Sequence, residues 1–149
     1  MRISIDTNIL TYSVDARDAR VTQAHRVLGA ALTADCVLTN QAIGEFLNVV
    51  RNKAPISLAE GRRAAADWAL LFPVVPTETQ HLIAASDLSE RHHLQFWDAV
   101  ILTVSKSAGA DYFLTEDMQD GRVVEGVTLL NPFNPANSEL LDLLLTPES

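Results

Sequence analysis

Hydrophobic and polar residues alternate only briefly at the start of the chain, over residues 2–6 (RISID), and that period of two predicts a short strand. The period then lengthens to that of a helix. Residues 7–14 (TNILTYSV) and 19–32 read as helices, the second with apolar positions at Val27, Leu28, Ala31 and Leu32. The run 36–38 (CVL) predicts a second strand, and Thr39-Asn40 offers an N-cap for a helix over about 41–52. In that helix Ile43, Phe46, Leu47 and Val50 share one face. Pro55 and Ser57 open a helix over 58–71, which Pro73 ends before a brief strand at 73–75. Thr77 is expected to cap the next helix, to about residue 90. A further helix spans 95–108, with a buried stripe of Trp97, Val100, Ile101, Val104 and Ala108, and Gly109 stops it. Strands at 111–115 (DYFLT) and 127–130 (VTLL) follow, then Asn131-Pro132 and a leucine-rich tail helix over about 137–145.

Strands separated by helices define an α/β fold with a largely parallel sheet and right-handed crossovers. A length of 149 residues fits one domain, 1–149, with a core over about 2–133 and the tail at 134–149. A composition 48% hydrophobic and 20% charged excludes disordered and fibrous classes. The single cysteine, Cys36, excludes an intramolecular disulfide and a cysteine-based zinc site, and it reads as strand core. No apolar run approaches the ~20 residues of a membrane span, and the N-terminus lacks the apolar stretch of a secretion signal. A soluble, cytoplasmic protein is expected. Its 11 Lys and Arg against 19 Asp and Glu leave a net charge of −8. That balance argues against a nucleic-acid partner, unless several acids are gathered in one place to hold cations.

Four acids do fall where ligand chemistry gathers in such folds, at the carboxyl ends of the strands. Asp6 ends the first strand, and Glu45 lies about one turn inside the helix after the second. Asp98 stands in the first turn of the helix before the fourth strand, and Asp117 lies two residues beyond Thr115 at that strand's end. Each also has a plain reading: a helix cap for Asp6, a solvated helix face for Glu45, a favourable helix dipole for Asp98, turn chemistry for Asp117. Together they point to one site. Four carboxylates that close cannot all stay ionised unaided, whereas hard divalent cations such as Mg²⁺ take oxygen ligands and share them with substrate phosphates. Two such ions would cancel four of the eight net negative charges.

The motifs Ile5-Asp6-Thr7-Asn8, Glu45, Phe96-Trp97-Asp98-Ala99 and Leu114-Thr115-Glu116-Asp117, in this order over about residues 2–133, resemble PIN-domain nucleases. The chain is most similar to the VapC-like toxins of bacterial toxin–antitoxin pairs. The resemblance implies a PIN-like three-layer sandwich, a mostly parallel five-stranded sheet of order 3-2-1-4-5, and metal-dependent endoribonuclease activity. It implies catalytic and metal-binding roles for Asp6, Glu45, Asp98 and Asp117, with Mg²⁺ or Mn²⁺ as cofactor. It makes Thr115 an auxiliary hydroxyl and Asn8 a partner of Asp6, while Glu116 and Asp120 stand close enough in sequence to replace or assist Asp117. It further implies a homodimer and an antitoxin protein whose peptide covers the acidic site.

The expected chemistry is phosphodiester hydrolysis by water on one or two bound ions, with no side-chain nucleophile. The histidines fit no such role: His92 and His93 are adjacent at a helix end, and His25 and His81 sit in polar-flanked helical stretches. Arg51, Lys53, Arg62 and Arg63 either line a phosphate channel for RNA or form a solvated corner between helices. Trp97 either stacks on a base or packs in the core, the latter favoured by its place in the apolar stripe. The tail leucines pack on their own domain or meet a partner. An aspartyl-phosphate phosphatase would need an acid where Asn8 stands, and a receiver domain would need an Asp where the chain reads Val75-Pro76-Thr77. A housekeeping nuclease, or a non-catalytic metal- or RNA-binding module of the same fold, stays open.

Overall fold

The computed structural model describes residues 1–147. Its elements are β1 (Ile3–Ile5), α1 (Thr7–Val14), α2 (Val21–Ala31), β2 (Cys36–Thr39), α3 (Asn40–Lys53), α4 (Leu58–Leu71) and β3 (Val74–Val75). They continue with α5 (Thr79–His92), α6 (Phe96–Ser107), β4 (Tyr112–Leu114), β5 (Val123–Val124), β6 (Val127–Leu130), a 3-10 turn (Pro135–Asn137) and α7 (Ser138–Leu145). The strands form one sheet in the order β3-β2-β1-β4-β6-β5. All neighbours run parallel except β5 and β6. β1 lies inside the sheet with Ile3, Ser4 and Ile5 all fully buried, so helices cover both faces. On one of them α6 meets β1 through Ser105, whose hydroxyl donates to Ser4 Oγ at 2.9 Å.

The five expected strands keep their predicted order, and a sixth is added. β5 folds back on β6 through Glu125 and Gly126, both at positive φ (48° and 84°), which is the geometry of a two-residue hairpin turn. Glu at the first turn position lacks the signal that Asn or Asp would have given. Its carboxylate is instead engaged by Arg91, His92 and Lys106 from α5 and α6.

Local signals explain most boundaries. Thr39 caps α3 by accepting from the Ala42 amide, and Ser57 and Glu60 cap α4 reciprocally. Thr77 does not cap α5, contrary to expectation. Glu78 holds that position, and Thr77 donates through its amide and hydroxyl to Asn40 Oδ1. Gly61 of α4 lies against Val50 of α3 so closely that a Cβ there would stand 2.9 Å from Val50 Cγ1. The core is one cluster containing Phe46, Phe113, Leu129 and, from the tail, Leu141, Leu144 and Leu145. The tail thus packs on its own chain, leaving Leu143 exposed. Cys36 is buried, as expected. No helix among the described residues is long and apolar enough to cross a membrane.

Candidate active site

Because β1, β2, β4 and β6 are parallel, the residues that follow them open on one edge of the sheet. Asp6 follows β1 and caps α1. Its Oδ1 accepts from the Thr7 amide at 2.7 Å, and its Oδ2 accepts from the Thr115 hydroxyl at 2.7 Å. The Thr115 oxygen in turn accepts from the Asp117 amide at 3.2 Å, so one buried hydroxyl ties β1 to the loop after β4. Glu45 reaches the same edge from α3. Its Oε2 accepts from the Thr7 hydroxyl at 3.2 Å and its Oε1 from Gln41 Nε2 at 2.6 Å. Gln41 also donates to the Trp97 carbonyl at 2.9 Å, linking α3 to the start of α6, where Asp98 stands.

The charges of these acids reach one another across the sheet edge. Asp6 is only 8% exposed. Burial pushes its carboxyl up to about 7, against the hydrogen bonds from Thr115 and Thr7, and the charges of Asp117 and Glu45 push it further. Asp98, half-buried, is also raised, first by burial and then by Glu45 and Asp117. The carboxylates of Asp98 and Asp117 accept no hydrogen bond among the described residues. The four predicted acids therefore face one another electrostatically, with two of them uncommitted.

The donor set is carboxylate oxygen throughout, which suits a hard divalent cation. Among the described residues no three His, Cys, Asp or Glu side chains stand close enough to cage an ion by themselves. The arrangement accordingly fits an ion that keeps part of its water and leans on one or two carboxylates, as Mg²⁺ does, rather than a closed protein cage.

Several auxiliary expectations are corrected. Asn8 is not a partner of Asp6: the aspartate oxygens are taken by Thr7 and Thr115, and Asn8's own amide atoms are buried without a hydrogen bond. Glu116 does not face the site. It accepts from the Tyr12 hydroxyl at 2.7 Å and pairs with Arg20, whose guanidinium lies 3.8 Å from the Tyr12 ring centroid. Asp120 is likewise committed, accepting from the Asn131 amide and from the side chains of Asn134 and Asn137, so that it moors the tail. Of the three neighbouring acids only Asp117 acts on Asp6 and Asp98. Trp97 is not core: it is 52% exposed, and Phe96 beside it 37%. Side chains on a helix tilt toward its N-terminus, so this first member of the apolar stripe overshoots the edge of the core.

Arg51 and Lys53 lie at the far end of α3, roughly 9 and 12 Å along the helix from Glu45. Arg62 and Arg63 directly follow Gly61, which packs on Val50 at the same corner. All four are exposed. None of the histidines joins the carboxylates: His92 meets Glu125, His81 accepts from the Glu78 amide and contacts Ser107, and His25 and His93 are exposed. Sequence reasoning missed Thr7, Gln41, Tyr12 and Arg20. Thr7, inside the Ile5–Asn8 motif, and Gln41, four residues before Glu45 on one helix face, left a trace.

No curated protein compared with the chain matches it. Solved structures do. VapC20 of Mycobacterium tuberculosis, a toxin that cleaves the sarcin-ricin loop, aligns with a TM-score of 0.63 at 22% identity over 74% of this chain and 86% of its own. A toxin–antitoxin complex from Klebsiella pneumoniae aligns at 0.66 and 18% identity, covering 88% and 98%. FitAcB from Neisseria gonorrhoeae aligns at 0.60 and 15%, also covering 88% and 98%. At these identities the likeness is one of fold. The PIN domain model matches residues 3–123, a span that includes Asp6, Glu45, Asp98 and Asp117. The chain belongs to the PIN-domain family.

Proposed function

We propose that this protein is a divalent-cation-dependent endoribonuclease and the toxin of a toxin–antitoxin pair. The observation that carries this reading is the convergence of Asp6, Asp98, Glu45 and Asp117 on one edge of the sheet, where Thr115 and Thr7 tie Asp6 to Asp117 and Glu45 and the charges of Glu45 and Asp117 reach both Asp6 and Asp98. Membership of the PIN-domain family and the likeness to VapC20, a sarcin-ricin loop cleaving toxin, support it.

Asp6, Glu45, Asp98 and Asp117 would supply the carboxylates for Mg²⁺ or Mn²⁺, one or two to an ion with water completing its shell. Once bound, the cation supplies Lewis acidity and charge neutralisation for hydrolysis of a phosphodiester. The chain's own residues prepare for this. Thr115 holds one oxygen of Asp6 while its hydroxyl oxygen anchors the Asp117 amide. Thr7 and Gln41 fix both oxygens of Glu45. Asp98 and Asp117 are left to turn toward a ligand. Burial of Asp6 makes it a carboxyl that surrenders a proton near neutral pH when positive charge arrives. An antitoxin would exploit the same field by placing a cationic side chain among these acids, and a homodimer is the form in which the toxin would act.

Purified protein incubated with single-stranded and structured RNA tests the reading. Cleavage is expected with Mg²⁺ or Mn²⁺, with loss in EDTA and in Asp98→Asn, whose folded state is checked by circular dichroism. Cleavage that persists in chelator rejects the cation mechanism. Expression should arrest growth, and co-expression of the product of an adjacent small gene should relieve it.

A further inference from the structure

We infer that the Phe96–Trp97 pair is a stacking platform for an unpaired nucleobase beside the scissile phosphate. This deepens the nuclease reading and rests on it for the identity of the phosphate site.

The exposure of Trp97 is built into the fold rather than the result of a loose helix end. Ala99, Val100, Ile101 and Leu102, the residues that follow directly, are all at most 2% exposed and fix the register of α6. Gln95 caps the helix by accepting from the Asp98 amide, and Gln41 holds the Trp97 carbonyl. The indole is held outside the core by these restraints, with Phe96 packed edge to face against it at a centroid distance of 5.0 Å and an interplanar angle of 75°. The platform is covalently continuous with Asp98. Through Gln41 it is also linked to Glu45, so its position relative to two of the four acids is set.

Charge decides what such a platform serves. The chain carries −8, and four of its basic residues, Arg51, Lys53, Arg62 and Arg63, stand at the far end of α3 from the carboxylates. Arg20, which lies over the Tyr12 ring, is already paired with Glu116 and Asp18. A nucleic acid therefore gains little from ordinary phosphate contacts at this edge and needs another source of affinity. Stacking on an aromatic ring supplies one, tolerates any base, and requires a base free of its own helix. A duplex, whose bases are already stacked, would gain nothing from it.

The chain has two tryptophans, and Trp68 is packed edge to face on Phe46. A Trp68→Phe, Asp6→Asn protein therefore reports on Trp97 alone without cutting its ligand. Titration with a single-stranded oligoribonucleotide should quench its emission. The same strand with abasic positions, or annealed to its complement, should not. Trp97→Ala should weaken binding roughly tenfold and Trp97→Phe should restore most of it. In the cleavage-competent protein the loss in Trp97→Ala should appear in KM more than in kcat. Absent binding, absent quenching or an unchanged affinity in Trp97→Ala overturns the inference. So does a shift from dimer to monomer on Trp97→Ala in sedimentation equilibrium, which would make the pair a self-association surface. Quenching by RNA that the wild-type protein never cleaves would refute the nuclease reading and leave the platform standing.

Discussion

Asp6→Asn should make the cation-free protein more stable while destroying its activity. An aspartate with an ordinary value of 3.8 that is pushed up to about 7 binds its proton more tightly folded than unfolded. Its ionisation therefore opposes folding: the cost is absent below the unfolded value, grows as pH rises through the interval from about 4 to 7, and is constant above. The size of the shift corresponds to about 4 kcal/mol at pH 8, an upper figure because the site relaxes. Asparagine removes this cost and keeps the structural roles. It caps helices as well as aspartate does, can accept from the Thr7 amide, and can donate to the Thr115 oxygen. For a chain of this length 2–4 kcal/mol raises Tm by about 5–15 °C. Thermal unfolding in EDTA at pH 4, 6 and 8 checks both size and sign. The gain should be near zero at pH 4 and full at pH 8. A variant no more stable at pH 8, or a gain independent of pH, would refute the claim that burial of a charge at Asp6 strains the fold.

Three further outcomes follow from the geometry. Thr115→Val removes the donor to Asp6 and the acceptor for the Asp117 amide, and should cost about 1–3 kcal/mol in urea unfolding while moving the pH dependence of stability to higher pH. Gly61→Ala, which in an open helix would gain stability, should instead cost about 1–3 kcal/mol because its Cβ meets Val50, and a lowered urea midpoint checks this. Asp120→Ala releases Asn131, Asn134 and Asn137 and should speed hydrogen exchange in α7 with cleavage by the nuclease site retained. Loss of activity there would contradict the assignment of Asp120 to the tail.

The elements whose cause is local were legible in the sequence. The β1 pattern, the Ser57 cap and the face Ile43-Phe46-Leu47-Val50 needed only neighbours a few residues away. The parallel topology then put Asp6, Glu45, Asp98 and Asp117 at one edge, which needs only element order. What was hidden depends on distant partners. Glu116, Asp117 and Asp120 are indistinguishable by spacing, and Glu116 is set apart by Tyr12 and Arg20, about a hundred residues upstream. Asn8 looked like a natural neighbour of Asp6, but the buried hydroxyl that donates to Asp6 is that of Thr115, just past the end of β4. Trp97 satisfied the helical period yet lies beyond the core, since periodicity reports direction around a helix and not where the layer ends. The β5–β6 hairpin was missed because its turn is Glu125-Gly126 rather than an asparagine-glycine pair.

The sharpest examination of the shared carboxylate site is calorimetric titration of the protein with Mn²⁺ at pH 7 in two buffers of different ionisation enthalpy. One binding process that releases protons is predicted, because burial raises the Asp6 carboxyl to about 7 and an arriving cation displaces the proton it holds. Both the binding and the proton release should vanish or weaken sharply in Asp6→Asn and in Asp98→Asn. Undiminished binding in both variants, or no binding to the wild-type protein, would contradict the account.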